Sequence, residues 1–390
     1  MSARCRPPSR GTPARRGSDP PRRKPSPSRR RASREEDLGQ IVVSSRIRLA
    51  RNLADAPFPE WATPDERERI FSRVVQAAIE AGADVGMALK FARVADDEDF
   101  AGCLYEAHLI SRDLLGGGPG SGYLLDGNAP RDGAGRFSMM VNEEDHIRIQ
   151  VFRTDYRLED AWKAADRFDS ALERRLPYAF SRKLGYLTAC PSNLGTGMRA
   201  SVMLSLPGLV ACDEFESTCR AIDRLGFNAR GVNGENTSTS SCLVQISNRG
   251  TLGFTETDVI ARLKKVVDEV IRVERQARLF STTKCTVFLN DMVGRGLAVL
   301  QNAHVIQAEE AQNALTCVRL GISLGMVRHA RIEDIDALSV GCGHYVLRRD
   351  LMNDGATREE VDDPDMRDSG RASFIRRNLA RATFHPLPED

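Results

Sequence analysis

Two short apolar runs on either side of a five-residue turn limit the fold more than any other feature of this 390-residue chain. Phe137-Ser138-Met139-Met140-Val141 and Ile147-Arg148-Ile149-Gln150-Val151 read as strands around residues 142–146. Strands this close in sequence pair antiparallel. Ile41-Val42-Val43 and Leu243-Val244-Gln245-Ile246-Ser247 read as further strands. Thr63, Pro64 and Glu66 form a helix-start signature, a capping box with proline at the first position. Ile70, Phe71, Val74, Val75 and Ala78 then recur at helical spacing. Residues 158–176 and 256–278 also read as helices. No regular strand–helix–strand alternation is visible, so an α+β fold is expected, an antiparallel sheet flanked by helices. After about residue 284 helix dominates, over 308–324, 332–338 and 366–382. The expected organisation is a tail over 1–37, a mixed domain over 38–280 and a helical C-terminal domain over 285–390, with no internal repeat.

Hydrophobic residues make up 41% of the chain and charged residues 28%, enough apolar content for a sizeable core. No apolar run nears the roughly 20 residues of a membrane helix, and no signal-peptide core is seen. The nine cysteines form no C-x-x-C pair, so neither a disulfide framework nor a zinc site is suggested, and a reducing cytoplasm is the simplest setting. The formal charge of +2 hides two unlike pieces. Residues 1–34 carry 12 of the 56 basic residues and a single acid, Asp19, which leaves 44 basic against 53 acidic residues, a net of −9, in the rest. An acidic body suits a basic substrate better than nucleic acid. The Arg/Pro/Ser tail is expected to be disordered. It reads first as inert sequence, second as a polyanion-binding arm and third as a transit peptide, whose amphipathic helix its seven prolines would spoil.

Five segments place arginine, glycine and carboxylate where packing does not need them. Arg46 and Arg48 alternate in Ser44-Ser45-Arg46-Ile47-Arg48, so both point to one side of a strand and suit phosphate oxygens. In Asn142-Glu143-Glu144-Asp145-His146, three adjacent acids repel unless a cation is held there. Cys190-Pro191-Ser192-Asn193-Leu194-Gly195-Thr196-Gly197-Met198-Arg199 gives a loop whose amides can meet an anion, with Arg199 expected at a helix start. It lacks the Gly-Lys-Ser/Thr ending of a P-loop. Arg230-Gly231-Val232-Asn233-Gly234-Glu235-Asn236-Thr237-Ser238 reads as a loop able to close on a ligand. The last is His108, a lone histidine in an apolar setting. Three of them have a plain structural alternative: a solvated strand face for Arg46 and Arg48, a polar hairpin turn for residues 142–146, and a core histidine for His108.

Together and in this order, from Val42 to Gly253, these segments resemble the ATP:guanido phosphotransferases, the family of creatine and arginine kinases. The match is best to the bacterial protein-arginine kinases of the McsB type. Only about 40 residues precede the Ser-Ser-Arg-Ile-Arg segment, where metabolite kinases carry a helical domain. Arg367-Asp368-Ser369-Gly370-Arg371-Ala372 matches the Arg-Asp-x-x-Arg-Ala motif by which that subfamily binds phosphoarginine allosterically. Arg367 and Arg371 would share a helix face.

The resemblance implies that Arg46, Arg48, Arg148 and Arg199 grip the phosphates of ATP, with Ser44, Ser45, Ile47, His108, Ala200, Ser201, Val202, Met203 and Arg230 to Glu235 lining the nucleotide site. Mg²⁺ would ride on the phosphates, with no metal site of the protein's own expected. Glu144 matches the carboxylate that orients the acceptor guanidinium and takes its proton, and Cys190 the reactive cysteine beside it, held as thiolate by nearby arginines. Two positions depart from the pattern. A gapless match puts the second catalytic carboxylate on Ser238, leaving Glu235 or Glu143 to substitute. Asn233 stands where metabolite kinases have an arginine. The resemblance thus implies an enzyme phosphorylating arginine side chains of proteins, with an activator protein, the Clp protease system and a homodimer as partners. Two other readings compete: a catalytically weak homologue that binds nucleotide and phosphoarginine as a regulator, and a kinase for a small free guanidine.

Overall fold

The computed structural model describes residues 41–128, 135–231 and 242–388. Its centre is an eight-stranded sheet with every pairing antiparallel. The strands are β1 (Val42–Arg51), β2 (Leu89–Arg93), β3 (Gly122–Asp126), β4 (Gly135–Val141), β5 (Ile147–Thr154), β8 (Met198–Ser205), β9 (Phe227–Gly231) and β10 (Leu243–Asn248), with β6 (Phe180–Ser181) and β7 (Gly185–Tyr186) forming a separate small hairpin. The order across the sheet is β2-β3-β4-β5-β1-β8-β10-β9. The β4–β5 hairpin stands where the sequence places it, and the α+β antiparallel architecture holds.

Strand alternation divides the sheet into two unlike faces. One carries Ile47, Leu49, Ile149, Val151, Ala200, Val202 and Ile246, all essentially inaccessible to water. Helices Pro64–Asp84, Leu158–Glu173 and Glu256–Lys284 pack on this face through Phe71, Val74, Phe168, Leu172, Leu263 and Val267. The capping box read at Thr63 is present. The opposite face carries the polar and charged residues of the candidate site.

Arg199 lies on β8 and not at a helix start. Gly195 and Gly197, at φ of 111° and 63°, turn the chain directly into the sheet. The Ala50 amide donates to the Gly197 carbonyl at 2.9 Å. A Cβ on Gly197 would lie 2.5 Å from Arg51 Nη1 and 2.6 Å from the Ala50 carbonyl. These glycines therefore allow close backbone packing on the end of β1. Arg51 fills the space below. Its guanidinium donates to Asp169 at 2.7 and 3.1 Å and to the Thr196 carbonyl at 3.0 Å, and lies 3.6 Å from the centre of the Tyr186 ring.

Beyond the long helix Glu256–Lys284, helices Thr286–Asn302, Ala308–Ser323, Ile332–Gly341, His344–Asn353 and Pro364–Leu379 bury a second core around Leu289, Val293, Leu315, Val318, Ile375 and Leu379. Arg371 sits within this unit, 2% exposed, and donates to the carbonyls of Cys342 and Ile306 at 2.8 Å each and to Asp368. Ala372 is core. Arg367, half-buried, donates to the Asp362 carbonyl at 3.0 Å.

Candidate active site

The register of three central strands gathers arginines that are up to 153 residues apart in sequence. Arg48 faces Arg199 across the β1–β8 ladder, and Arg148 faces Ala50 across β1–β5. Arg46 and Arg48 are two residues apart on β1, so all four guanidinium groups rise from one face. Arg230 joins them through the ladder pairs Arg230–Gln245, Gln245–Met203 and Met203–Ser44.

Packed together, these cations oppose each other's charge. Burial, then Arg199 and Arg148, lower the Arg46 pKa to about 10. Arg48 is lowered further, by burial and then by Arg46, Arg199 and Arg148, with Glu143 working the other way. Arg199 is lowered by burial, Arg230 and Arg148. Arg48 Nε is buried with no hydrogen bond among the described residues. Such a concentration of guanidinium charge, of which Arg148 alone is paired with carboxylates among the described residues, is costly on its own and is relieved by a polyanion.

The face opens into three adjoining cavities. The first, about 200 Å³, is lined by Ser44, Arg46, His108, Phe152, Ser201, Met203, Arg230, Gly231 and Gln245. His108 enters it from a left-handed backbone conformation, φ 58°. Burial, then Arg46 and Arg136, lower its pKa and keep the imidazole neutral. The second cavity contains Arg199, Arg230 and Arg249. The third, about 160 Å³, brings Arg48, Arg148 and Arg199 together with Glu144, Cys190 and Ser192.

Glu144 reaches this third cavity because its turn is fixed from below. Asn142, at φ 52°, donates through its amide to the carbonyls of Arg67 and Gly120. Asp145 is buried and accepts from Asn52 Nδ2 at 2.6 Å and the Ala189 amide at 2.7 Å. His146 Nδ1 accepts from the Leu53 amide at 3.0 Å, so Nε2 carries the proton and donates to the Pro57 carbonyl at 2.9 Å. The cation that three adjacent acids require is Arg148, held by Glu143 at 2.6 Å and by Glu144 at 2.7 Å. Ser111 ties Glu143 down from the neighbouring loop. The Glu144 carboxylate thus already binds one guanidinium.

Burial lowers the His146 pKa from 6.5 to about 4, so the fold requires the neutral ring. Because the folded value is depressed, this stabilisation is complete above pH 6.5 and is lost as pH falls towards 4. A loss on the order of 3 kcal/mol across that window is expected. Chemical denaturation at pH 7 and pH 4.5 measures it, and His146→Asn should flatten the dependence.

The expected site residues do not all face the cavities. The side chains of Ser45, Ile47, Ala200 and Val202 face the helix-packed side, because strand residues alternate, and so do not line the phosphate face. Ser45 Oγ instead donates to the Asp155 carbonyl at 2.8 Å. Cys190 lies in the third cavity with Sγ 3.0 Å from Ser192 Oγ. Val232, Asn233, Gly234, Glu235 and Ser238 lie outside the described residues. Arg367, Asp368, Arg371 and Ala372 lie in the helical C-terminal unit and line none of these cavities.

Sequence reasoning missed Gln245 and Ser247. Gln245 Oε1 accepts from Arg46 Nη2 at 3.0 Å, and Ser247 Oγ accepts from Arg199 Nη2 at 3.1 Å. Their signal was two polar residues at alternate positions of an otherwise apolar strand.

Comparison with known proteins agrees with this geometry. Residues 71–277 match the family described as ATP:guanido phosphotransferase, C-terminal catalytic domain, and residues 286–387 match the protein-arginine kinase McsB C-terminal domain. The protein-arginine kinase of Halothermothrix orenii is 42% identical over 340 residues, 87% of this chain and 93% of that protein. That of Clostridium acetobutylicum is 34% identical over 339 residues, 87% of this chain and 96% of the other. Among solved structures, lombricine kinase shares the fold at 23% identity and a TM-score of 0.52, over 62% of this chain and 68% of that one. A duplicated taurocyamine kinase from Schistosoma mansoni does so at 22% identity and 0.54, over 74% and 46%. The chain belongs to the ATP:guanido phosphotransferase family and, within it, to the protein-arginine kinases.

Proposed function

We propose that the chain transfers the γ-phosphoryl group of ATP to arginine side chains of proteins. The observation that carries this is the juxtaposition, on one sheet face, of a cluster of guanidinium groups and the Glu144 carboxylate in adjoining cavities. Arg46, Arg48, Arg148 and Arg199 hold the phosphates, and His108 and Arg230 border the remainder of the nucleotide. Glu144 grips the acceptor guanidinium and aims one nitrogen at the γ-phosphorus. The new N–P bond forms as the bond to the ADP oxygen breaks, and the guanidinium proton passes to Glu144. Because that guanidinium has a pKa above 12, alignment and proton removal must coincide with attack. The rest is positioning and charge neutralisation.

Among the described residues no group of three or more His, Cys, Asp or Glu side chains is placed to hold a metal ion. Mg²⁺ would come with the phosphates, whose charge it would neutralise. No helix of the described residues is long and apolar enough to cross a membrane. The resemblance alone supports an activator protein, the Clp protease system and a second copy of the chain as partners, phosphoarginine at Arg367 and Arg371, and a cytoplasmic setting.

The direct test is to incubate the protein with Mg-ATP and either an arginine-rich protein or free arginine, reading acid-labile P–N phosphorus by ³¹P NMR. Signal on protein is expected; signal on free arginine alone would reassign the substrate. A second measurement addresses the phosphate grip. A charge-assisted phosphate contact is worth roughly 1.5–3 kcal/mol, so Arg199→Ala should weaken ADP binding by about tenfold or more. Unchanged affinity by calorimetry would remove Arg199 from the site.

A further inference from the structure

We propose that the contact between helix His344–Asn353 and helix Glu98–Glu106, centred on Glu106, positions His108 and so sets nucleotide affinity. This rests on the nucleotide pocket assigned above. Helix His344–Asn353 starts at Gly343, which has no side chain to cap it. Glu106, more than two hundred residues earlier, supplies the cap. Its two carboxylate oxygens accept the Tyr345 and Val346 amides at 2.9 and 3.0 Å. A carboxylate at a helix N-terminus satisfies unpaired donors and meets the positive end of the helix dipole.

The two helices meet too closely for any added atom. A Cβ on Gly102 would lie 2.1 Å from the Tyr345 ring, and one on Gly343 would lie 2.4 Å from Glu106. Around this centre Arg348 approaches Asp99 at 3.4 Å and Arg349 covers the Phe100 ring at 4.9 Å.

The chain then runs from Glu106 to His108 across one intervening residue. His108 is held at φ 58° and lines the first cavity. The next carbonyl, of Leu109, accepts from Ser138 Oγ at 2.6 Å and from Gln150 Nε2 at 2.8 Å, which pins the segment to the sheet. A shift of helix Glu98–Glu106 therefore has little slack to absorb it before His108. At the far side of the contact, the Cys342 carbonyl, next to Gly343, is held by Arg371. Glu106 is accordingly a positioning residue, linking the C-terminal unit to the nucleotide pocket.

The test uses the full chain, ADP titration by calorimetry, thermal melts and steady-state kinetics. Gly102→Ala drives Tyr345 away and should weaken ADP binding by about fivefold or more. The KM for ATP should rise while the KM for the protein substrate holds. Gly102→Ala with Tyr345→Ala removes the clash and should restore ADP affinity towards the parent. Glu106→Gln, which adds no volume, should weaken ADP binding in the same direction and serves if Gly102→Ala fails to melt cooperatively. ADP affinity within about twofold of the parent in Glu106→Gln and in any folded Gly102→Ala protein, whatever the melting temperature, would overturn the proposal. A parent protein that binds no ADP would overturn the pocket assignment itself and the proposal with it.

Discussion

Glu144→Gln should lower turnover by about 10²- to 10⁴-fold, the usual range for a positioned general base, with ADP affinity unchanged or slightly tighter. Glu144 is the only carboxylate among the described residues that lines the third cavity, where it faces Arg48, Arg148 and Arg199. Glutamine fills the same volume but can neither take a proton nor hold a guanidinium with two anionic oxygens. The turn itself should survive, because Glu143 keeps Arg148 at 2.6 Å and Asp145 and His146 anchor the backbone. The phosphate grip should survive too, since removing a negative charge beside four arginines favours an anion. Initial rates of ³²P transfer to a protein substrate, set beside calorimetric ADP affinity, separate the two effects. Turnover within about tenfold of the parent would show that the proton leaves by another route.

What the sequence revealed of this site was limited by how local each signal is. Arg46 and Arg48 could be assigned to one face because a strand alternates, and the 137–151 hairpin because its turn is short. That Arg148 and Arg199 join them depends on register: Arg148 pairs with Ala50 and Arg199 with Arg48. No local pattern encodes that. The stretch 199–203 likewise divides between two faces, since β8 sends the side chains of Arg199, Ser201 and Met203 one way and those of Ala200 and Val202 the other. Strands β2, β3, β8 and β9 went unread. β2 carries Lys90 and Arg93, β3 opens on Gly122, β8 follows a Gly-x-Gly pair, and β9 contains Asn228 and Arg230. Neighbouring strands supply the pairing that these sequences barely ask for. The Glu106 cap was invisible because its helix partner lies over two hundred residues away.

The second large effect should come from Arg371→Ala, a loss of about 3–5 kcal/mol in the stability of the C-terminal unit, the range for removing one partner of a buried ionic network. Read from sequence, Arg367 and Arg371 are equivalent members of one motif, four residues apart on a helix. Their surroundings are unlike. Arg371 is buried and joins three parts of the unit: the carbonyl ending helix Ile332–Gly341, the carbonyl before helix Ala308–Ser323, and Asp368 on its own helix. Alanine would strand two buried carbonyls, leave Asp368 without its cation and open a void beside Ala372. Arg367 donates only to backbone carbonyls from a half-buried position, to Asp362 at 3.0 Å and more weakly to Val361 at 3.4 Å, so Arg367→Ala should cost no more than about 1 kcal/mol. Thermal melts should therefore separate the pair clearly, at roughly 2–4 °C per kcal/mol for a protein somewhat smaller than this one. An Arg371→Ala melt matching the parent would mean that its network contributes nothing to the fold. Phosphoarginine binding is then best read in Arg367→Ala, where the helix and its core stay in place. Loss of the ligand there, with the melt unchanged, would assign the motif a recognition role beyond the structural one that Arg371 already performs.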